Sequence, residues 1–443
     1  MTRSVLSICA TKRFEKYVAH HLSTSFMNPP DFSNKRNSMH YGWFIVAAGT
    51  FCVLAGLGFG RFALGMLLPS MGQSLSLSYS QMGLISTANF IGYLVAVLVC
   101  GKVTARFGAR KVITGALLLA GLSMVVIGAS HGLLAITVLY TFTGMGSGMS
   151  NVPMMGLVSA WFTSRKRGRA AGFVVIGSGF AIIISGRLVP WLNTGGADGW
   201  RFSWFILGTV VILISLICYL MLRNRPQDLG LEPVGADAIL PGGGHPRSSF
   251  AAKPVKSRTL YHCAAIYFLF GFTYVIYVTF IVTALVQERG FSESVAGGFW
   301  SWVGFLSLFS GPVFGVFSDR FSRKAALMVV FSIQALAYLL IAVNLPGLAL
   351  YLSIGCFGIV AWSIPSIMAA LVGDYVGPQR AVSVFGFITF IFGLGQISGP
   401  YLAGVLAERT GSFSGSFFLA AVLAILAVGL SAFLPSPAQP DNR

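Results

Sequence analysis

Long apolar stretches recur along the chain and alternate with short polar or basic turns. Apolar runs of about 20 residues match the length that a helix needs to cross a bilayer. The hydrocarbon core has no water to satisfy backbone groups, and continuous runs favour helices over the alternating strands of a barrel. The pattern predicts an all-α membrane protein with twelve transmembrane helices, over residues 42–68, 79–103, 111–130, 132–161, 168–192, 201–222, 261–286, 295–317, 324–344, 347–371, 381–406 and 413–435.

Basic residues are distributed unequally between the two sets of alternate loops. Twenty-five Lys and Arg residues fall in the tails and loops on one side, whereas only Arg201, Arg289 and Arg409 fall on the other. Loops rich in Lys and Arg stay on the cytoplasmic side of a membrane protein. We therefore predict a multi-pass protein of the cytoplasmic (inner) membrane with both termini in the cytoplasm.

The longest polar segment between predicted helices is rich in Gly and Pro, which is typical of a linker. The polar N-terminal segment is either a basic tail or sequence upstream of a true start at Met27 or Met39. The predicted organisation is a basic cytoplasmic tail (1–38), an N-terminal six-helix bundle (39–222), a cytoplasmic linker (223–260), a C-terminal six-helix bundle (261–436) and a C-terminal tail (437–443).

Composition narrows the functional classes. Only 9% of the residues are charged, against roughly 25% in soluble domains. The net charge of +18 would suggest nucleic-acid binding in a soluble protein, but cytoplasmic loops account for it here, so no nucleic-acid partner is predicted. The six cysteines are dispersed and lack metal-ligand spacing. Neither a disulfide framework, nor a metal site, nor another cofactor is therefore predicted.

The two predicted bundles carry a repeated loop motif. Gly101–Lys111 follows the second span and Gly315–Lys324 follows the eighth, and each contains glycine and a basic cluster. Halves related in this way are typical of parallel-repeat transporters, whose substrate site lies at mid-membrane between the halves. The candidate gating and loop residues are Gly101, Arg106, Gly108, Arg110, Gly315, Asp319, Arg320 and Arg323.

On these motifs, residues 40–435 resemble the major facilitator superfamily, which implies a fold of two pseudo-symmetric six-helix bundles. A narrower resemblance, to the monocarboxylate and oxalate–formate branch, is carried by Tyr41–Trp43, Trp161–Phe162, Arg165–Gly172, Gly199–Arg201, Arg225–Pro226, Leu229–Leu231, Gly393–Gly395 and Gly399–Pro400.

The sequence departs from these families at two places. The first loop motif has Ala105 at the usual acidic position, whereas the second copy keeps Asp319. The resemblance implies that this acid helps to lock a cytoplasmic gate, so we expect gate control to rest more on the second half. The eighth span also lacks the basic residue that anchors the carboxylate in the monocarboxylate branch, and Arg61 is the obvious replacement.

Two arginines, Arg61 and Arg187, lie well inside long apolar segments and away from the ends of the predicted spans, whereas none of the twelve Asp and Glu residues lies inside a span. A mid-membrane arginine costs about 2.5 to 3.5 kcal/mol on insertion scales, so it usually faces a cavity or a partner. Its planar guanidinium suits carboxylate, phosphate or sulfate. Arg61 is thus a candidate anion-binding residue, the alternative being a gate or interhelical arginine. Arg187 either snorkels to the interface or lines an outer vestibule.

Further candidates are amides and aromatic residues deep in the spans. The amides could orient a substrate or form ordinary interhelical hydrogen bonds. The aromatic residues could line an amphipathic cavity or simply pack in the core. The candidate substrate-binding set is Arg61, Asn89, Asn151, Tyr274, Tyr277, Trp300, Trp362 and Gln396.

The missing acids bear on mechanism, because proton-coupled transporters often use buried Asp, Glu or His. We predict a secondary active transporter of a small organic anion, either a monocarboxylate or an aromatic acid, by anion exchange or proton symport. Efflux of hydrophobic drugs or other metabolites is the alternative. No catalytic constellation indicates an enzyme, and the linker is too short and polar to favour a substrate sensor. The predicted partners are a small-molecule substrate and the lipid bilayer, and the chain is expected to act as a monomer.

Overall fold

The computed structural model describes residues 39–196, 198–236, 257–343 and 347–435. Within them, twelve helices are long and apolar enough to cross a membrane, which confirms the predicted fold class. They are α1 (Gly42–Ser74), α2 (Tyr79–Phe107), α3 (Ala109–Ala129), α4 (Leu133–Trp161), α5 (Ser164–Leu192), α6 (Gly199–Met221), α7 (Ser257–Glu288), α8 (Glu293–Arg320), α9 (Arg323–Ala342), α10 (Gly347–Val376), α11 (Pro378–Thr410) and α12 (Ser414–Ala432).

The predicted N-terminal tail, most of the linker and the C-terminal tail lie outside the described residues. The chain divides after Tyr41, and the structure discussed below belongs to the unit that begins at Gly42. The described start of the linker packs on the loop between α4 and α5, where Val234 and Phe162 form an isolated parallel β-bridge. The described residues contain no β-strand beyond this bridge.

Helix α1 extends further than its predicted end at residue 68. It continues through Pro69 to Ser74. Proline has no amide N–H, so the helix continues through Pro69 without the hydrogen bond to the Gly65 carbonyl. Gln287 of α7 donates a hydrogen bond of 3.2 Å to the Pro69 carbonyl. The tertiary contact with α7 thus accompanies the continuation of the helix beyond the proline.

The middle of α1 is a π-helix over Leu54–Phe62. A π-helix has i→i+5 hydrogen bonds, and the Ala63 amide donates to the Gly58 carbonyl at 3.1 Å. Side chains from two other helices hold the end of this segment. Asn89 Nδ2 donates to the Gly60 carbonyl at 3.1 Å, and the Tyr140 hydroxyl donates to the Arg61 carbonyl at 3.1 Å.

Helix α10 is interrupted at residues 361 and 362, between Gly347–Val360 and Ser363–Val376. Ser310 of α8 fixes both sides of this break. Its hydroxyl accepts from the Trp362 amide at 3.2 Å, and its carbonyl accepts from the Ser363 hydroxyl at 3.0 Å. The break therefore fixes the backbone at Trp362 against α8.

Helices from the two halves of the chain meet mainly where α2 packs on α11, α5 on α8, and the last part of α1 on α7. Small residues allow close approach, as at Gly186 and Gly297. A Cβ at Gly297 would lie 2.1 Å from the Gly186 carbonyl oxygen. The contact between the C-terminal end of α5 and the N-terminal end of α8 thus requires glycine.

The molecule has two chemically different faces. The basic face is defined by the loops that carry Lys102–Lys111, Arg165–Arg169 and Arg320–Lys324. The opposite face is defined by the loops at 75–78, 193–198, 289–292 and 411–413. Toward the basic face, helices α5 and α8 are further apart. A Cβ at Gly172 of α5 or at Gly311 of α8 would have nothing within 4 Å.

Two carboxylates join the halves at the opposite face. Glu293 of α8 accepts from the Ser70 hydroxyl at 2.5 Å and from Asn193 Nδ2 at 2.8 Å. Glu408 of α11 accepts from the Ser78 hydroxyl at 2.9 Å. Hydrogen bonds to ionised groups are stronger than neutral ones. These contacts, together with the α5–α8 packing, hold the opposite face closed.

Candidate functional site

Arg61 lies in the π-helical segment of α1 and is only 8% exposed. Its guanidinium Cζ is 4.6 Å from the ring centroid of Phe90 and 4.2 Å from that of Tyr93, both on α2. Its Nε and Nη2 atoms are buried and have no hydrogen-bond partner among the described residues. None of the ion pairs in the described part of the chain includes Arg61. The side chain therefore keeps hydrogen-bond donors available for an acceptor from outside the protein.

Asn89 shares a small cavity with Arg61. It is 1% exposed, and its Nδ2 donates to the Gly60 carbonyl and to the Tyr140 carbonyl at 3.3 Å. Its Oδ1 is buried without a partner among the described residues. The cavity has a volume of about 10 Å³ and is lined by Arg61, Phe62, Leu64, Gly65, Ser86, Asn89, Phe90, Val278 and Thr279. This volume admits about one water-sized group.

Tyr93 connects Arg61 to a second amide. The Tyr93 hydroxyl accepts a hydrogen bond of 3.4 Å from Asn151 Nδ2 of α4. The other amide atom, Asn151 Oδ1, is buried without a partner in the described residues. One face of α2 thus brings Arg61 and Asn151 to the same tyrosine.

An aromatic layer covers this cluster on the side of the second half. Tyr274 of α7 accepts a hydrogen bond from Gln396 Nε2 of α11, and its hydroxyl interacts with the Arg61 guanidinium both electrostatically and as a side-chain hydrogen-bond partner. Arg61 Nε and Nη2 still lack a partner among the described residues. The Trp362 ring lies 5.0 Å from that of Phe62 and 5.9 Å from that of Tyr274. The indole Nε1 of Trp362 is also buried without a hydrogen-bond partner among the described residues.

A larger cavity begins on the other side of Trp362. It has a volume of about 550 Å³ and lies in the halves of α5, α8 and α10 that are nearest the basic face. Its lining is mostly apolar, with four serines and one arginine, and includes Arg169, Phe173, Ile176, Ser178, Ser307, Leu308, Ser310, Pro312, Trp362 and Ser366. The Phe62–Trp362 pair therefore lies between the large cavity and the small cavity around Arg61.

Comparison with known proteins fits this architecture. Residues 53–432 match the model of the family described as "Uncharacterised MFS-type transporter YbfB". The chain belongs to this family of major facilitator superfamily transporters. It is 27% identical over 383 residues to the hexuronate transporter of Bacillus subtilis (strain 168), covering 83% of this chain and 88% of the relative. It is 26% identical over 428 residues to monocarboxylate transporter 11 of Mus musculus, covering 89% of each.

Solved structures agree on the fold. A bacterial homolog of the human lysosomal transporter Spinster, in an inward-facing and occupied conformation, superposes with a TM-score of 0.67 at 15% identity. The match covers 90% of this chain and 97% of that chain. The predicted resemblance to the major facilitator superfamily is therefore confirmed, and the chain is a multi-pass membrane transporter rather than an enzyme.

Not all the predicted substrate residues of this transporter meet at Arg61. Arg61, Asn89, Asn151, Tyr274, Trp362 and Gln396 form one connected cluster, whereas Tyr277 and Trp300 do not join it through any contact given above. Tyr277 bonds Ser353 at 3.0 Å and stacks on Phe357 at 4.1 Å. Trp300 is buried in α8, and its indole nitrogen has no partner among the described residues.

Arg187 lies on an exposed stripe of α5 rather than in a cavity. Phe180, Ile184 and Trp191, at helical spacing around it, are 44%, 39% and 70% exposed. An apolar stripe of this kind on a transporter faces lipid. The placement separates Arg187 from the Arg61 cluster.

The loop motifs of the transporter make contacts within their own halves. In the first motif, the Arg110 Nε donates to the Tyr219 carbonyl at 2.8 Å and its amide to Asn224 Oδ1 at 2.9 Å. In the second, Arg323 pairs with Asp319 and also with Asp374 of α10 at 3.0 Å. The first motif has Ala105 where the second has Asp319. Of the two motifs, only the second therefore forms ion pairs within the described residues. Gly101, Arg106 and Arg320 are exposed, Gly108 has a φ of 80°, and a Cβ at Gly315 would meet nothing within 4 Å.

Sequence reasoning missed Tyr93, Phe90 and Phe62. Tyr93 is four residues after Asn89, so both lie on one face of α2. That spacing was a usable signal for Tyr93. Phe62 could not be placed, because its position depends on the π-helical register of α1.

Proposed function

We propose that this chain is a secondary active transporter of a small organic anion, and that Arg61 binds the anionic group of the substrate. The observation that carries the proposal is the burial of the Arg61 guanidinium with two unpartnered donor atoms. A buried charge is stable only when it is paired and hydrogen-bonded. A carboxylate, sulfonate or phosphate on the substrate supplies both the charge and the acceptors.

The two cavities support transport by alternating access. The cavity of about 550 Å³ lies toward the basic face, while carboxylate contacts and close helix packing occupy the opposite face. By the positive-inside rule the basic face is cytoplasmic, so this conformation is inward-facing. Transport then requires the halves to rock about the Arg61 cluster.

Charge compensation favours coupled transport. The membrane potential opposes entry of one negative charge by about 2.3 kcal/mol per 100 mV. A substrate anion exchanged for another anion, or entering together with a proton, avoids this cost. One named relative is a hexuronate transporter and the other is named monocarboxylate transporter 11, which supports an organic anion as the cargo.

The test is counterflow of radiolabelled D-glucuronate, lactate and benzoate in proteoliposomes. Arg61→Ala should lower uptake of the accepted acid at least about 100-fold, because the buried anion loses its counter-charge. Arg61→Lys should retain only part of the activity, since ammonium lacks the planar fork. Arg187→Ala, a change of the same type on the exposed stripe, should behave as wild type. Uptake by Arg61→Ala at the wild-type rate, with correct insertion, removes Arg61 from the site.

A second candidate function is efflux of hydrophobic compounds, and the apolar lining of the large cavity favours it. Such compounds would bind among Phe173, Ile176 and Leu308 without needing Arg61. Under this alternative, Arg61→Ala would leave drug uptake into inverted membrane vesicles, which corresponds to efflux from the cell, unchanged, whereas Ile176→Asp would abolish it.

A further inference from the structure

The Arg61 cluster contains unpartnered acceptors as well as unpartnered donors. Asn89 Oδ1 and Asn151 Oδ1 are both buried without a hydrogen-bond partner among the described residues. The Asn89 amide is oriented by its Nδ2 bonds to two backbone carbonyls, so its oxygen points away from them. A carboxylate has only acceptors and cannot satisfy an amide oxygen. An anion bound at Arg61 would therefore leave these oxygens unpaired unless the same molecule also carries donors.

The two amides are linked to Arg61 in different ways. Asn89 lines the same cavity as Arg61, and the Asn89 residue is only 1% exposed. Asn151 reaches the cluster through its hydrogen bond to Tyr93, whose ring contacts the Arg61 guanidinium. One acceptor thus adjoins the anion site directly, and the other is linked to it through Tyr93.

We infer that the substrate is a hydroxylated organic anion, whose carboxylate binds Arg61 and whose hydroxyl groups donate to Asn89 Oδ1 and Asn151 Oδ1. This inference rests on the proposed function and adds a substrate class to it. A hydroxyl is the neutral donor that matches an amide oxygen and fits beside a carboxylate in a small molecule. Simple fatty acids and unsubstituted aromatic acids lack this group.

The room available indicates how such an acid reaches the amides. The cavity of about 10 Å³ around Arg61 is too small for an acid, whereas the cavity of about 550 Å³ beyond Trp362 is large enough. The ring pair of Phe62 and Trp362 lies between them. Movement of this pair joins the cavities and lets the polar end of the acid reach Arg61 while its carbon chain stays among the aromatic residues.

The test compares acids that differ only in their hydroxyl groups, using the purified full chain in detergent and thermal shift or calorimetry to measure binding. The matched pairs are lactate with propionate, 3-phenyllactate with 3-phenylpropionate, and gluconate with hexanoate. We expect the hydroxylated member of at least one pair to bind about 10- to 100-fold more tightly, because the analogue leaves a buried acceptor unpaired. Equal affinity within every pair would overturn the inference.

Variants assign the preference to the amides. Asn151→Leu also removes the hydrogen bond to Tyr93, so both acids of a pair should bind more weakly, but the hydroxylated acid should lose more affinity and the ratio within the pair should fall toward one. Asn89→Leu should do the same, but it also removes two hydrogen bonds to α1 and α4, so Asn151→Leu and the wild-type comparison decide the matter if it fails to fold. Gln334→Leu is the control, because Gln334 of α9 is a buried amide that is absent from the lining of both cavities.

The outcomes separate this inference from the proposed function. Binding that depends on Arg61 without any hydroxyl preference contradicts the substrate class and leaves the organic-anion transporter intact. A preference for unsubstituted acids that strengthens at low pH would mean that a protonated carboxyl donates to the amide, which also overturns the inference. Absence of binding for all six acids would contradict both.

Discussion

At the scale of single residues, the central question is what compensates the charge of Arg61. Placing an arginine at the centre of a membrane helix costs about 2.5 to 3.5 kcal/mol on insertion scales. A desolvated cation–π contact returns about 2 kcal/mol, and the contacts with Phe90 and Tyr93 share one guanidinium. The rings therefore offset much of the cost but supply no hydrogen-bond acceptor. An anionic substrate supplies what is missing.

Tyr93 separates these two contributions. Tyr93→Phe removes the hydroxyl that accepts from Asn151 but keeps the ring beside Arg61. We expect uptake to fall by less than about 5-fold, as for one ordinary hydrogen bond. Tyr93→Leu removes the ring as well and should raise the substrate KM by a further factor of up to about 30, the value of one desolvated cation–π contact of about 2 kcal/mol. Uptake measurements on both variants check this, and equal effects would show that the ring contributes nothing.

The sequence identified six members of the cluster by residue type alone, because polar and aromatic residues stand out in apolar helices. It could not exclude Tyr277, which is chemically the same as Tyr274 but points toward Ser353 and Phe357. Three positions correspond to most of one helical turn, so the two tyrosines differ in direction by about 60°. The sequence does not indicate which face of α7 meets α1, so this difference in direction could not be used to choose between the two tyrosines.

At the scale of helices, the glycine contact between α5 and α8 determines how closely the opposite face can close. Gly297→Ala would place a methyl group 2.1 Å from the Gly186 oxygen, so the helices must separate. Gly298→Ala is a matched control, because a Cβ there meets nothing within 4 Å. The measurement is the labelling of the cysteine in a Ser86→Cys variant by an impermeant maleimide applied from the opposite face. We expect Gly297→Ala to increase this labelling and Gly298→Ala to leave it unchanged. Unchanged labelling in both would mean that this packing does not keep the face closed.

Hydropathy predicted every long helix of the described chain but not the irregularities within them. An apolar run indicates only that a segment is buried in lipid or protein, and it is insensitive to whether the backbone is α or π. The π segment of α1 depends on side chains of α2 and α4, and the break in α10 depends on Ser310 of α8. These are contacts between distant parts of the chain, so single-helix patterns do not contain them.

At the scale of the whole molecule, two carboxylates at the opposite face join the halves of the chain. Glu293→Ala removes hydrogen bonds to Ser70 and Asn193, which at a half-buried site are worth about 1 kcal/mol together after screening. We expect this loss to shift the population about 5-fold toward the conformation open at that face, and adding Glu408→Ala should shift it further. The Ser86 cysteine labelling described above measures the shift.

Glu288→Ala provides the control for this prediction. Glu288 lies at the same face, but it accepts from the Ser412 hydroxyl and the Phe413 amide within the second half. Its loss should leave labelling unchanged. If all three variants label like the wild type, the carboxylates do not contribute to closure.

The π segment of α1 also has a consequence for how sequences of this kind change over time. A π segment accommodates one residue more than an α-helix of the same pitch, so deleting one of the glycines at 56, 58 or 60 would restore a continuous α-helix. The restored register would turn Arg61 by about 100° relative to the start of α1 and take it away from Phe90 and Tyr93. Relatives aligned with a single-residue gap here should therefore have lost the arginine or moved it by one position. An insertion or deletion of one codon is thus a simple route by which such a transporter gains or loses its anion site.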